Sequence, residues 1–366
     1  MKPLYISATM QDIGKTTLIL GLLQACRDLG LNVGYMKPVG QVFVEYEGLR
    51  VDKDAVLARR AFGLTDHAGD MSPVVIERGF TERYVFHRDP SVLQSKVLAS
   101  FERLRAAHDF IIVEGTGHAG VGSCFDLSNA QVAALLGAAV VIVVEGGIGR
   151  AIDETAPNLY LFQKHGVQVL GVVLNKVLEE KLDKVKRTVA EGLRHLGTQL
   201  LGVVPYREQL GFPRLDQIAL QLRAEVLCGE ESLGNRVFRT VVAAMSAQNV
   251  CERITGNTLV VTPGDRIDNI IVSALACPAE LGETEHISGL VVTGGIRPPV
   301  GIISLLEMAG IPVLLCQEDT YIVATKLKEL RFKISPQDTD KIEAAKRLIH
   351  DSIDVQALLA ALAADK

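Results

Sequence analysis

Short runs of β-branched and other apolar residues recur along the first part of the chain, and each is followed by a segment with helical periodicity. Strands that are apolar along nearly their whole length are buried on both faces, as in parallel sheets covered by helices. The runs are PLYISA (3–8), DFIIVEG (109–115), AVVIVVEGG (139–147), VQVLGVVLNK (167–176) and LLGVVPY (200–206). The pattern therefore predicts an α/β fold with a mostly parallel sheet.

A Gly-Phe-Pro segment at 211–213 interrupts this rhythm, as turn-forming residues do at a domain boundary. Further strands are predicted beyond it: NTLVVTPGDR (257–266), DNIIVSALA (268–276), ISGLVVTGG (287–295) and IPVLLCQED (311–319). From about residue 336 the periodicity is helical. We therefore predict three parts: a first domain at 1–212, a smaller α/β domain at 215–330, and a helical C-terminal tail at 331–366.

Composition excludes several classes of protein. With 48% hydrophobic residues and a formal net charge of −5, the chain is neither disordered nor electrostatically suited to nucleic acid or an anionic membrane. It has no uncharged apolar run of transmembrane length, and its start lacks the layout of a signal peptide. We expect a cytoplasmic protein that binds neither nucleic acid nor a membrane.

Gly14, Lys15 and Thr16 lie between the first predicted strand and an apolar helix. In a phosphate-binding loop (P-loop), backbone N–H groups and a helix N-terminus surround the phosphates, the lysine reaches the outer ones, and the hydroxyl ligates Mg²⁺. The common signature places a glycine at position 9, where this chain has Thr9. The strand–loop–helix context still predicts a nucleotide site, with ATP and Mg²⁺ as cofactors.

Charged residues follow other predicted strands. Lys37, in GYMKPVG, comes just after a further predicted strand that is second along the chain, where a second cation could meet the phosphates. Asp52, Asp54 and Glu114 supply carboxylates at strand ends or helix starts. Phosphate-bound Mg²⁺ usually takes one or two carboxylates. Asp54 has an alternative role as the cap of a helix. Glu114 ends a buried run, where a carboxylate is costly without a partner.

Asn175 ends another buried strand, in VVLNKV. Its amide could read the edge of a purine base; the alternative is a turn residue after a strand. The segment GVVPY (202–206), which contains Pro205, would place backbone groups near the same base.

These blocks together resemble dethiobiotin synthetase, and more closely the dethiobiotin synthetase-like N-terminal region of long phosphate acetyltransferases. The family's loop is one residue longer than the common signature, so its first glycine falls at position 8, where this chain has Ala8. The blocks YMKPV, DKDA, VEGTGHAG and LNKV also match, over residues 1–210.

The resemblance implies a set of roles. Lys15 and Lys37 would act on the phosphates as the catalytic residues, and Thr16, Asp54 and Glu114 would ligate Mg²⁺. The residues implied to bind the nucleotide are Asp12, Gly14, Lys15, Thr16, Thr17, Asn175 and Pro205, with Asn175 at the adenine. Homodimerisation is implied as well.

The chain departs from dethiobiotin synthetase where the synthetase binds its diamine substrate. A loop threonine is replaced by Gln11, and a serine after the second lysine is replaced by Gln41. The segment after Glu114 is shorter and different. These departures put the biotin-pathway substrate in doubt and leave the nucleotide site intact.

The second half resembles the DRTGG domain. Its Asp-Arg block is Asp265-Arg266, and its Thr-Gly-Gly block is Thr293, Gly294 and Gly295. Asp265 and Arg266 could form an ion pair with each other at a turn. Alternatively, they line a pocket for an unknown small molecule with the glycine pair and Arg297, because glycines permit close approach of a ligand.

Two functions are favoured. The first is a nucleotide-dependent regulatory or sensor protein that resembles the N-terminal part of phosphate acetyltransferase; residues 1–366 include no acetyltransferase domain, which argues against that activity. The second is an ATP-dependent ligase or synthetase of the dethiobiotin synthetase type, acting on a small carboxylate or amine. A scaffold with an inactive site is disfavoured by the intact Lys15, Thr16, Asp54 and Glu114.

Overall fold

The computed structural model describes residues 1–268, 287–330 and 332–363. They fall into two compact units. The first unit comprises Met1–Leu210 and the described residues from Ile334 onward, and the second lies within Gly211–Lys333.

A parallel sheet forms the centre of the first unit. The strands of this unit are β1 (Leu4–Ala8), β2 (Val33–Met36), β3 (Val39–Gly40), β4 (Phe43–Tyr46), β5 (Leu49–Asp52), β6 (Val74–Val75), β7 (Phe110–Glu114), β8 (Ala139–Glu145), β9 (Val169–Val177) and β10 (Leu200–Pro205). The main sheet has the order β10-β9-β8-β1-β7-β2, and its neighbouring strands pair in parallel. The carboxyl ends of β1, β7 and β9 therefore meet at one edge, together with the loops that follow them.

Helices cover this sheet. They are α1 (Lys15–Asp28), α2 (Lys53–Phe62), α3 (Ala68–Met71), α4 (Phe80–Phe86), α5 (Pro90–Ala107), α6 (Asn129–Leu135), α7 (Gly149–Lys164) and α8 (Leu182–His195). The sheet strands β1, β2, β7, β8 and β9 are buried along most or all of their length. The expectation of a mostly parallel sheet covered by helices is confirmed.

The second unit contains a smaller sheet. Its described elements are α9 (Leu215–Leu222), β11 (Glu225–Cys228), β12 (Arg239–Val242), α10 (Ala247–Cys251), β13 (Thr258–Pro263), β14 (Ile287–Thr293), α11 (Val300–Met308), β15 (Val313–Leu315) and α12 (Thr320–Glu329). The strand order is β11-β15-β14-β13-β12, with β11 antiparallel and the others parallel. Residues 269–276 of one predicted strand lie outside the described residues. Sequence reasoning did not find β11 and β12, which have four residues each.

Two C-terminal helices, α13 (Thr339–Ser352) and α14 (Val355–Ala363), confirm the predicted helical C-terminus. They belong to the first unit, and their buried residues Ile342, Ile349 and Leu358 join its core. α13 packs closely on α1 because Gly21 has no side chain: a Cβ there would lie 2.2 Å from the Cβ of Ile349. Among the described residues, no helix combines the length and apolar character needed to cross a membrane.

Candidate functional site

The loop between β1 and α1 has the backbone of a phosphate-binding turn. Asp12 and Gly14 both adopt left-handed conformations, with φ of 57° and 96°. Gly14 precedes the first helical residue, Lys15, whose side chain is buried and whose Nζ donates to the carbonyl oxygen of Met10 at 3.5 Å. Thr16 and Thr17 lie half-buried in the first turn of α1. The N-terminus of α1 therefore opens at the sheet edge where an anion is favoured.

Asn175 and Lys176, at the end of β9, fasten this loop. The Asn175 Nδ2 donates to the carbonyl oxygen of Ile13 at 2.7 Å, and its Oδ1 accepts from the backbone N–H of Lys176 at 2.9 Å. The Lys176 Nζ donates to the carbonyl oxygen of Asp12 at 2.8 Å. In this structure both ends of the Asn175 amide are engaged by backbone groups.

Pro205 ends β10, the strand next to β9 in the sheet, and pairs with Val177. The N–H of Tyr206 donates to the carbonyl oxygen of Val177 at 2.7 Å. Asn175 and Pro205 are thus brought to neighbouring strand ends, beside the loop that contains Gly14.

Lys37 lies among three buried carboxylates. Its Nζ is 3.0 Å from Asp52 Oδ1 and 3.9 Å from Glu114 Oε1, and it also donates a hydrogen bond to Asp54 Oδ2. The side chains of the three acids are at most 2% exposed. The fold therefore places the two carboxylates predicted to bind metal, Asp54 and Glu114, next to one ammonium.

The carboxylate of Glu114 is held at both oxygens. Thr16 Oγ1 donates to Glu114 Oε1 at 3.0 Å, and the hydroxyl of the buried Tyr35 donates to Oε2 at 2.6 Å. Sequence reasoning missed Tyr35. The available signal was its position in β2, two residues before Lys37, because side chains two residues apart in an extended segment point to the same side.

Asp52, and not Asp54, caps helix α2. The Asp52 side chain accepts a hydrogen bond from the N–H of Asp54 at 2.9 Å, in the geometry of an N-cap. The carboxylate of Asp54 is directed to Lys37 instead. The capping role considered for Asp54 is therefore filled by Asp52.

Burial and mutual charge shift the pKa values of Glu114, Lys37 and Tyr35. Burial raises the pKa of Glu114, an effect that Lys37 opposes and Asp54 reinforces. Burial by itself lowers the pKa of Lys37, but Glu114, Asp54 and Asp52 together outweigh it, so the pKa lies above its ordinary value. Burial, followed by the charge of Glu114, raises the pKa of Tyr35 well above its ordinary value. Lys37 is therefore a charged ammonium at neutral pH.

The donor set suits Mg²⁺. Thr16, Asp54 and Glu114 offer one hydroxyl and two carboxylates, the hard oxygen ligands that Mg²⁺ takes beside phosphate oxygens. Thr16 contacts Glu114, and Lys37 contacts both acids. Within the described ranges, no group of three or more His, Cys, Asp or Glu side chains is arranged to hold a metal ion on its own.

Gln11 and Gln41 meet at the exposed side of the loop. The Gln11 Nε2 donates to Gln41 Oε1 at 3.1 Å. The adjacent segment after β7 is held in place by Asn129, whose Nδ2 donates to the carbonyl oxygens of Thr116 and His118 at 2.8 and 2.6 Å. The two replacements noted in the sequence thus form one amide pair at the surface.

In the second unit, the Asp-Arg and Thr-Gly-Gly blocks follow the neighbouring strands β13 and β14. A Cβ at Gly264 would lie 1.9 Å from the carbonyl oxygen of Ile296, so the segments after these strands are in contact. Asp265 and Arg266 are exposed, and no ion pair between them is found in the described part of the chain.

The Thr-Gly-Gly block joins the end of β14 to the segment after β15. The hydroxyls of Thr293 and Thr320 are hydrogen-bonded at 2.6 Å, and the N–H of Gly294 donates to the carbonyl oxygen of Glu318 at 2.7 Å. Gly294 and Gly295 have positive φ angles of 80° and 65°. Arg297 pairs with Glu225 at 2.6 Å, on the exposed surface.

Comparison with known proteins agrees with this division. A family model described as an AAA domain matches residues 2–214, and a model of the DRTGG domain matches residues 217–330. These matches confirm the resemblance drawn from the sequence blocks.

Two curated relatives are phosphate acetyltransferases. The protein from Nitratidesulfovibrio vulgaris is 30% identical over 365 residues, covering 97% of this chain and 51% of that protein. The protein from Pseudomonas putida is 27% identical over 369 residues, with the same coverage of 97% and 51%. The chain thus spans about half the length of the curated relatives it matches.

Among solved structures, the CBS and DRTGG domains of the regulatory region of Clostridium perfringens pyrophosphatase, in complex with its activator diadenosine tetraphosphate, are 26% identical. The match covers 31% of this chain and 45% of that one, with a TM-score of 0.26. A score this low transfers no ligand to this chain.

Proposed function

The chain belongs to the AAA domain family and carries a DRTGG domain after it, and from this premise we propose that its first unit binds ATP together with Mg²⁺. One observation carries the proposal. The helix that begins with Lys15 and Thr16 places the Thr16 hydroxyl on Glu114, and Lys37 links Glu114 to Asp54. The Lys15 and Lys37 ammonium groups, the Thr16 hydroxyl and the two carboxylates thus lie together at the carboxyl edge of a parallel sheet.

In the proposed complex, the phosphates lie at the N-terminus of α1. Backbone N–H groups from Asp12 to Thr17 and the Lys15 ammonium would bind them. Thr16, Asp54 and Glu114 would hold Mg²⁺, which would neutralise phosphate oxygens when bound. Asn175 and Pro205, at neighbouring strand ends beside this loop, would recognise the adenine.

We further propose that nucleotide binding serves regulation. Nucleotide binding by the first unit would act together with two further events. A small molecule would bind near the Asp-Arg and Thr-Gly-Gly blocks of the second unit, and two chains would pair. The amide pair of Gln11 and Gln41 favours a regulatory role, since it stands where the resembling synthetase binds its second substrate.

The alternative is an ATP-dependent ligase or synthetase. Lys15, Lys37 and Mg²⁺ would then stabilise a phosphoryl group that passes from ATP to a small carboxylate or amine. Steady phosphate release in the presence of such a compound would favour this role over regulation.

The test is isothermal titration of the protein with ATP and a non-hydrolysable analogue, with and without MgCl₂. Magnesium-dependent binding is expected in the wild type. Lys15→Ala should weaken it by about 1.5–3 kcal/mol, roughly ten- to a hundredfold, through loss of charge-assisted bonds to phosphate. Lys164→Ala, at an exposed lysine in the last turn of α7, is the matched control. Absence of binding to the wild type would overturn the proposal.

A further inference from the structure

The ammonium of Lys37 stands in the middle of the proposed metal site. Its Nζ contacts Asp54 and lies 3.0 Å from Asp52 and 3.9 Å from Glu114. Three buried carboxylates thus share this one ammonium at close range. Such a cluster is strongly unfavourable in a buried site unless a cation compensates it.

Two of the three carboxylates are held by other groups, whereas the ammonium is carried by a long side chain. Glu114 accepts hydrogen bonds from Thr16 and Tyr35, and Asp52 accepts one from the N–H of Asp54. Lys37 is anchored through its backbone, whose N–H donates to the carbonyl oxygen of Met71 at 2.7 Å. Its four-carbon stem can therefore reorient while Glu114 and Asp52 stay in place.

Resting on the proposed function, we propose that Lys37 occupies the cation position of the nucleotide-free protein and yields it to Mg²⁺ only when nucleotide phosphates arrive. The phosphates give the displaced ammonium a new anionic partner, so metal and nucleotide enter together. Asp52, which caps α2, remains beside the cation as a third negative charge.

The experiment is titration of nucleotide-free protein with MgCl₂ alone, followed by calorimetry and by thermal unfolding. The wild type should show no binding of Mg²⁺ and a melting temperature that neither EDTA nor MgCl₂ changes. Lys37→Met removes the charge and keeps the length. It should melt at a lower temperature in EDTA, regain stability in MgCl₂, and bind Mg²⁺ at least about tenfold more tightly than the wild type.

Two further variants make the result specific. Lys164→Met carries the same substitution at an exposed lysine in the last turn of α7, and it should gain no affinity for Mg²⁺. Asp52→Asn added to Lys37→Met should weaken the new Mg²⁺ binding about tenfold or more, because it removes one of the three negative charges beside the cation.

The proposal is overturned if Mg²⁺ alone binds the wild type as tightly as Lys37→Met, or if Lys37→Met gains no affinity. Either result is separable from the proposed function, since binding of ATP with Mg²⁺ is measured on the same wild-type sample. If Lys37→Met does not fold, the wild type decides by itself. A melting temperature raised by MgCl₂ without nucleotide overturns the proposal, and an unchanged one supports it.

Discussion

The side-chain amide of Asn175 occupies the space beside Gly14 where any other residue would place its Cβ. A Cβ on Gly14 would lie 2.0 Å from Asn175 Nδ2, and the φ of 96° at Gly14 already disfavours other residues. The same amide nitrogen donates to the carbonyl oxygen of Ile13. The conformation of the phosphate-binding loop and the end of β9 therefore depend on each other.

Asn175→Ala should weaken both folding and nucleotide binding. The loss of the hydrogen bond leaves the buried carbonyl of Ile13 without its donor, which should lower the free energy of unfolding by about 1–3 kcal/mol. Urea unfolding measures this, and titration with ATP and GTP measures binding. A larger loss for ATP than for GTP is expected if the amide also reads the base. Unchanged stability and binding would contradict the role of Asn175 in holding the phosphate-binding loop in its conformation.

Glu114→Gln should remove the magnesium dependence of ATP binding without unfolding the protein. The amide keeps the shape of the side chain and relieves the burial of a charge, but it is a poor ligand for a hard cation. Calorimetry with ATP, with and without MgCl₂, checks this. Equal magnesium dependence in wild type and variant would argue against Glu114 as a ligand.

Tyr35→Phe should destabilise the protein through Glu114. The phenol is fully buried and its hydroxyl donates to Glu114 Oε2 at 2.6 Å, so its removal leaves a buried carboxylate oxygen without a donor. We expect a loss of about 1–3 kcal/mol in the free energy of unfolding. Tyr160→Phe, at an exposed tyrosine of α7, is the control and should be near neutral. A neutral Tyr35→Phe would contradict the assignment.

Gly21→Val should displace the C-terminal helix α13 from α1. The new side chain would overlap Ile349, whose Cβ lies 2.2 Å from the position of a Cβ at residue 21. Overpacking of this kind typically costs about 1–3 kcal/mol. Adding Ile349→Ala should recover part of the loss. Gly149→Ala, where a Cβ meets nothing within 4 Å, is the control for a glycine without a packing role.

The pair of Asp70 and Arg103 should contribute stability that acid removes. Hydrogen bonds from Arg103, and to a lesser extent Ser100, hold the pKa of Asp70 below its ordinary 3.8 despite partial burial. A lowered pKa means that the folded state favours the ionised form, so the contribution is present above the ordinary pKa and is lost as the pH falls through the folded value. The difference in melting temperature between wild type and Asp70→Asn should be constant at neutral pH and shrink below about pH 4. A difference independent of pH down to 2 would contradict this.

Much of the site could be predicted from the sequence because its signals are local. Gly14, Lys15 and Thr16 share one turn, and Lys37, Glu114 and Asn175 each lie at or next to the end of a recognisable strand, so the topology of a parallel sheet brings them to one edge. Tyr35 could not be predicted as a site residue, because a tyrosine inside an apolar strand resembles any other core residue until its hydroxyl partner is known.

By itself, then, the sequence determined the α/β class, the parallel sheet and the identity of the residues at its carboxyl edge, because apolar period and motif spacing are properties of short segments. Only the tertiary structure decided which groups pair. It set Asp52 rather than Asp54 as the cap of α2, joined Asn175 to Ile13, and seated Ile349 on Gly21. The last two contacts join residues far apart in the chain, and the first depends on where a helix begins. Partner choice in the last two follows from packing, which no local pattern records.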